Sequence, residues 1–143
     1  MKTILAALCA LTLLLLSSVP SDAAETGTLR LTINGNVLSA TLEDSPAARD
    51  FRAMLPLTLK IRDFNGTEKI SDLPGRLSEK DAPEGVTPEA GDLTYYAPWG
   101  NLAVFYRDFS WSRGLIRLGH VTSNMTPLAN AGNGDTLIIE AVD

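Results

Sequence analysis

The sequence predicts a mainly all-β protein, an antiparallel barrel or closed sandwich with one short helix. Three observations lead there. Apolar and polar residues alternate in several stretches, as in Leu29-Arg30-Leu31-Thr32-Ile33, which puts successive side chains on opposite faces of a half-buried strand. Asn34-Gly35 and Asn65-Gly66 separate such stretches, and both residue types tolerate the positive φ that tight hairpin turns require. No strand–helix–strand alternation occurs, so seven or eight strands must close in antiparallel fashion.

The chain opens with Met1-Lys2, an apolar run from Ile4 to Leu16, and small residues with a proline up to Ala24. This is the layout of a cleavable secretory signal peptide over residues 1–23, with Ser21 and Ala23 preceding a cut before Ala24. Cleavage one residue later fits nearly as well. The run of thirteen residues falls short of the roughly 20 that cross a hydrocarbon core. The protein is therefore expected to be exported, to the periplasm or beyond the cell, with no membrane association once the signal is removed. Cys9, the single cysteine, lies inside that run behind Leu8, where lipid attachment would need a small residue. The mature chain then has no disulfide, and its core must stabilise it unaided. Residues 24–143 suffice for one domain with one core.

Seventeen acidic residues against twelve Lys and Arg give a net charge of −5. Without a cationic stripe, that balance excludes nucleic-acid backbones and anionic membrane surfaces as partners.

Leu29–Ile33 and Val37–Leu42 read as a hairpin about Asn34-Gly35-Asn36. At Asp44-Ser45-Pro46 a capping residue followed by proline starts a helix. Ala47, Phe51, Met54 and Leu55 share one of its faces, and Pro56 ends it. Leu57–Phe64 alternates again before Asn65-Gly66. Asn65-Gly66-Thr67 and Asn124-Met125-Thr126 also fit N-glycosylation acceptors, although Asn65 reads first as a turn residue. Leu73–Asp92, rich in proline and glycine, is a long loop in which Lys80, Asp81, Glu84 and Glu89 are solvated. Leu93–Ala97 and Asn101–Arg107 are strands about Pro98-Trp99-Gly100. The second is apolar on both faces and should be the most buried strand. Asp108–Gly114 connects it to a strand over Leu115–Thr122, and Asp135–Val142 closes the chain after Asn130-Ala131-Gly132-Asn133-Gly134.

DFNGTEKI from Asp63, DLP from Asp72, GDLTYYAPWGNLAVFYRDF from Gly91 and GLIRLGHV from Gly114 resemble the bacterial cyclophilin-like domain family, over about Leu29 to Val142. The resemblance implies a small closed antiparallel β-barrel of cyclophilin type. It also implies an exported protein, an association with redox proteins, and no well-established activity. True cyclophilins carry a string of the form FHRxIxxFMxQGGD, whose arginine stabilises the twisting prolyl amide. That string is absent here, so isomerase activity does not carry over with the fold.

The residues themselves support no catalytic set. The lone His120 shares strand parity with Ile116 and Leu118 and is expected to be a satisfied histidine in or beside the core. No G-x-S-x-G elbow accompanies it. One histidine and scattered acids provide no metal site, and Gly132 and Gly134 lack the lysine and helix of a phosphate loop. No cofactor is expected.

What remains is the aromatic stretch from Gly91 to Trp111, with both tryptophans, all three tyrosines and two of four phenylalanines. Leu93, Tyr95, Leu102, Val104, Phe105 and Tyr106 read as barrel core. Tyr96, Pro98, Trp99, Asn101, Asp108, Phe109 and Trp111 lie at strand ends and connections, where they can edge a ligand site. The alternative use of those rings is to close the barrel end as core. Two functions stay open: a non-catalytic module binding a peptide, protein or small molecule, and a divergent peptidyl-prolyl isomerase using Arg62, Arg107 or Arg113.

Overall fold

The computed structural model describes residues 25–142; the signal segment expected over residues 1–23 lies outside them. In chain order they form β1 (Glu25–Ile33), β2 (Asn36–Glu43), α1 (Pro46–Ala53), β3 (Leu57–Lys60), β4 (Arg62–Phe64), β5 (Glu68–Asp72), β6 (Gly85–Val86), β7 (Asp92–Tyr96), β8 (Asn101–Phe105), β9 (Ser112–Arg113), β10 (Leu115–Val121), α2 (Thr126–Ala129) and β11 (Thr136–Val142). The two hairpin turns are those expected. Asn34 and Gly35 take φ of 48° and 77°, and Asn65 and Gly66 take 56° and 63°, a left-handed pair that matches the twist of the flanking strands.

Nine strands of the described residues form one antiparallel sheet in the order β3-β11-β1-β2-β10-β7-β8-β5-β4. Its two outermost strands, β3 and β4, are consecutive in the chain with only Ile61 between them. The sheet therefore returns on itself as a nearly closed barrel, and few open strand edges remain. The continuous strand expected over Leu57–Phe64 bends at this residue. There the Ile61 N–H donates to the Asp135 carbonyl (3.0 Å), and the Ile61 carbonyl accepts from the Gly134 N–H (2.8 Å), so its hydrogen bonds leave the strand ladder for the loop before β11.

Alternating residues fill the interior. Leu29, Leu31 and Ile33 of β1, Leu38 and Leu42 of β2, and Leu137 and Ile139 of β11 are buried in one cluster, each such side chain contributing about 1.5–3 kcal/mol of burial. Helix α1 adds Ala47, Ala48 and Phe51 to that core. Its N-cap is Ser45, whose Oγ accepts from the Ala48 N–H at 3.1 Å, satisfying one of the free donors of the first turn.

All five residues of β8 are buried, as its two-sided apolar pattern predicts. Leu102 and Val104 belong to the interior core. Ala103 and Phe105 belong to a second cluster with Ile70 of β5 and Leu115 of β10, against which Val86 and Tyr96 pack. The barrel wall is thus apolar on its outer side here.

Four expectations change. A four-residue helix, α2, joins the expected single helix; its start coincides with the Asn124 side chain accepting from the Thr126 N–H (2.9 Å). The loop from Leu73 to Asp92 contains β6, which pairs with β9 inside the following connection as a two-stranded ribbon. Tyr106 lies beyond β8 and is only partly buried, with its hydroxyl donating to Asp63 at 2.6 Å. His120 is satisfied but exposed, because a bulge between Arg117 and Gly119 shifts the register against β7. The extra residue turns His120 away from the face of Ile116 and Leu118.

Candidate functional site

On the outer wall of the barrel, β4, β5, β7, β8 and the ribbon enclose a cavity of about 470 Å³, a volume ordinary for small-molecule sites. Ile70, Phe105 and Leu115 form its floor and are almost wholly buried. They are there because β8 and β10 carry apolar residues on both faces while the barrel interior takes only one, and because β5 turns its single apolar residue, Ile70, to the outer side.

Aromatic rings stand around that floor. Trp99 lies edge-on to Phe64 (centroids 5.7 Å apart, planes at 87°) and to Tyr96 (5.4 Å, 79°). Phe109 lines the cavity from the connection after β8. Trp99 is 59% exposed, and Phe64 and Phe109 about 40%, although the chain buries its other phenylalanines. Trp99 is held by the tight turn between β7 and β8, where the Trp99 and Gly100 N–H groups both donate to the Tyr96 carbonyl (3.2 and 2.9 Å).

Asn65, Glu68, Asn101, Ser112 and Arg113 supply the polar lining. Glu68 opens β5 opposite Phe105, so its carboxyl leans over apolar surface. Burial pushes it up to about 7, the Asp63 charge adding to the effect and the Thr67 hydroxyl opposing it. Among the described residues it has no cationic partner. Asn101 is 3% exposed; its Nδ2 donates to the Leu102 carbonyl at 3.0 Å, which fixes the amide orientation and leaves Oδ1 buried with no donor. Such an orphaned acceptor costs about 1–3 kcal/mol unless something pairs with it.

Arg113 lines the rim from β9 with its side chain 71% exposed. Its Nη1 lies 3.2 Å from the Glu84 carboxylate and its guanidinium sits over the Trp111 ring at 5.4 Å.

Of the residues singled out from sequence, Tyr96, Trp99, Asn101 and Phe109 line this cavity. The other three lie outside its lining. Pro98 packs beside Gly114, where an added Cβ would come within 2.8 Å of its ring. Asp108 accepts from the Ala90 N–H at 2.8 Å and so ties the long loop to the β8 end. Trp111 stacks under Arg113 and against Gly85. Sequence reading missed Phe64, Glu68 and the floor residues as site residues. One signal did point to them: a strand apolar on both faces, β8, implies an outer wall that is covered or occupied.

Two further polar clusters tie the fold together. Lys69 is buried, and its Nζ donates to Asp63 (3.1 Å) and to the Ala131 carbonyl (2.7 Å). The Tyr106 hydroxyl, Lys69 and the Gly66 N–H hold Asp63 below the usual carboxylate range, while burial and Asp63 push Tyr106 up to about 12. Asp92, 2% exposed, accepts from Arg117 Nε (3.0 Å) and the Glu89 N–H (2.9 Å), and its Oδ1 meets His120 Nδ1 at 2.9 Å. His120 packs against Gly91, where an added Cβ would meet its Nε2 at 2.9 Å. Among the described residues no group of three or more His, Cys, Asp or Glu is placed to hold a metal ion.

Fold and site together define a small antiparallel barrel with an aromatic, ligand-sized cavity on its outer wall. The chain belongs to the Cyclophilin-like family, whose model matches residues 31–139. Its fold is shared with the solution structure of a hypothetical protein from Archaeoglobus fulgidus, at a TM-score of 0.67 and 15% identity, over 85% of this chain and 99% of that one. No curated protein matches the chain.

Proposed function

We propose that this barrel is a non-catalytic binding module that seats a peptide segment or small molecule in the outer-wall cavity. The observation that carries the reading is an apolar floor of Ile70, Phe105 and Leu115 ringed by the exposed aromatics Phe64, Trp99 and Phe109. Exposed aromatics grouped around a concavity, with few polar groups inside it, are the usual composition of ligand sites. Screening residues 24–143 by thermal shift against broad peptide and metabolite collections tests it. Hits should be saturable and should perturb Trp99 and Phe64 in amide and indole NMR spectra. The absence of any saturable hit, together with no partner on crosslinking in native extract, would remove the reading.

A divergent prolyl isomerase is the second reading. Of the three arginines considered for that role, Arg113 alone lines the cavity. Proline-peptide isomerisation above background, abolished by Arg113→Ala, would favour it over simple binding.

We also propose that the chain is exported through its first 23 residues. Expression of the full chain with N-terminal sequencing of the product tests this: a start at Ala24 or Glu25 supports export, and an intact Met1 in the cytosol opposes it.

A further inference from the structure

Among the residues lining the cavity, Glu68 and Arg113 are the charged ones, and strand register sets them at opposite ends. Glu68 lies across from Phe105, at the close of β8. Arg113 belongs to the other end: Asn101 opens β8 opposite Tyr96, Tyr96 pairs with Leu115, and the Gly114 carbonyl accepts from the Ala97 N–H at 3.0 Å. Asn101 and Phe105 are the first and last residues of β8, a run of about 13 Å at ordinary strand rise. Between the two charges lie the apolar floor and the rings of Phe64 and Trp99.

We infer that the cavity takes a small zwitterion, an ammonium and a carboxylate about 10 Å apart on an apolar body, which is the chemistry and the reach of a free tripeptide. The ammonium meets Glu68, the carboxylate meets Arg113, and the apolar body lies along the floor against Phe64 and Trp99. The inference rests on the binding reading above and names the ligand class for that same site. A segment inside a longer chain carries neither terminal charge and would pass both ends of the cavity without answering them. The two ends therefore distinguish a free peptide from a stretch of a partner protein.

Both charges are open to a ligand. The neighbours of Glu68 are engaged elsewhere: Asp63 on β4 is held by Lys69 and by Tyr106, which follows β8, and the Lys69 ammonium is turned to Asp63 and the Ala131 carbonyl. A bound ammonium supplies the positive charge that the Glu68 carboxylate lacks, and it should draw the raised carboxyl back toward ionisation. Arg113 meets Glu84 at 3.2 Å with both side chains more than two-thirds exposed, and solvated pairs of this kind are weak enough to exchange partners. Its planar guanidinium offers several N–H donors, so a ligand carboxylate can replace that of Glu84.

The test compares four forms of the tripeptide Ala-Phe-Ala: free at both ends, N-acetylated, C-amidated, and blocked at both ends. Binding is followed by the Trp99 indole N–H and the Phe64 and Glu68 amides in NMR titrations at about pH 7.5, where the peptide amine and a carboxyl titrating near 7 are both largely charged. Blocking either end should weaken binding about three- to fivefold, and blocking both about tenfold. Arg113→Gln should abolish the cost of amidation and keep that of acetylation, and Glu68→Gln should do the reverse. Lowering the pH to about 5 should imitate Glu68→Gln in the wild-type protein, because the carboxyl then takes up a proton, so the assignment is tested even if that variant folds poorly. Equal affinity for all four forms, or a blocking cost that its matching variant leaves unchanged, overturns the inference and leaves the binding reading standing. No saturable shift with any form also overturns it, and the binding reading then rests on the broader screen.

Discussion

Trp99 and Phe64 meet edge to face with ring centroids 5.7 Å apart, although one ring comes from the turn between β7 and β8 and the other from the end of β4. The contact sets two half-exposed aromatics side by side in the lining of the same cavity. Neither ring belongs to the interior core, so their value lies in the surface they present.

Trp99→Ala should separate stability from binding. The tryptophan is more than half exposed, and losing its two edge contacts should cost about 1 kcal/mol of stability. Affinity for any ligand seated in the cavity should fall at least about tenfold. Leu93→Ala, inside the barrel, should cost about 2–5 kcal/mol. Chemical denaturation of both variants beside titration calorimetry checks the contrast.

The Glu68 carboxyl sets a pH dependence of known sign. Its folded-state value lies at about 7 against an ordinary 4.5, so the folded state holds the proton where the unfolded state has released it. The group's contribution is therefore most favourable at low pH and is lost as pH rises from about 4.5 to about 7. Glu68→Gln should gain stability relative to wild type as pH rises from about 4.5 to about 7, by about 1 kcal/mol once solvent screening of the half-exposed carboxyl is discounted. Urea melts at several pH values would show it, and a difference independent of pH would contradict the assignment.

Asp92 is expected to be the most costly surface-proximal carboxylate to remove. It is buried beneath Arg117, His120 and the Glu89 N–H, and it joins β7, β10 and the long loop. Asp92→Ala leaves these donors without their acceptor and should destabilise the fold by about 2–4 kcal/mol. Amide exchange should quicken in residues 87–92 and 117–121, and unchanged protection there would argue against this role.

Gly119 sits where β10 crosses β2 closely. A Cβ at that position would lie 2.0 Å from the Thr41 carbonyl oxygen and 3.1 Å from the Leu42 Cα, both backbone atoms that cannot rotate aside. Gly119→Ala should cost about 2–4 kcal/mol by forcing the strands apart, read as a lowered denaturation midpoint. At Gly132, where an added Cβ meets only the Asp135 side chain at 3.8 Å, the same change should be nearly neutral.

Local chemistry made much of this legible in advance. Asn34-Gly35 and Asn65-Gly66 specified their hairpins because left-handed φ is cheap for those residues. Ser45-Pro46 specified the start of α1 through capping and a preset φ. The two-sided apolar pattern of β8 marked it as covered on both faces, and the aromatic concentration around it pointed to Tyr96, Trp99, Asn101 and Phe109, which line the outer-wall cavity. These are properties of a few adjacent residues, and the chain carries them wherever it folds.

Other features depend on neighbours distant in sequence. Whether Phe64 and Glu68 line the cavity depends on β5 lying between β4 and β8, a sheet order that no local spacing encodes. The exposure of His120 depends on one extra residue in the pairing of β10 with β7, since a period-2 pattern loses its phase at a bulge. Pro98, Asp108 and Trp111 were indistinguishable from the cavity residues by composition. Their roles in turn packing, loop tethering and cation stacking follow from Gly114, Ala90 and Arg113, partners that only the closed barrel brings into reach. The sequence alone thus determined the turns, the strand faces and the aromatic content. Tertiary structure decided which aromatics surround the outer-wall cavity and which close the barrel, because that depends on long-range strand pairing.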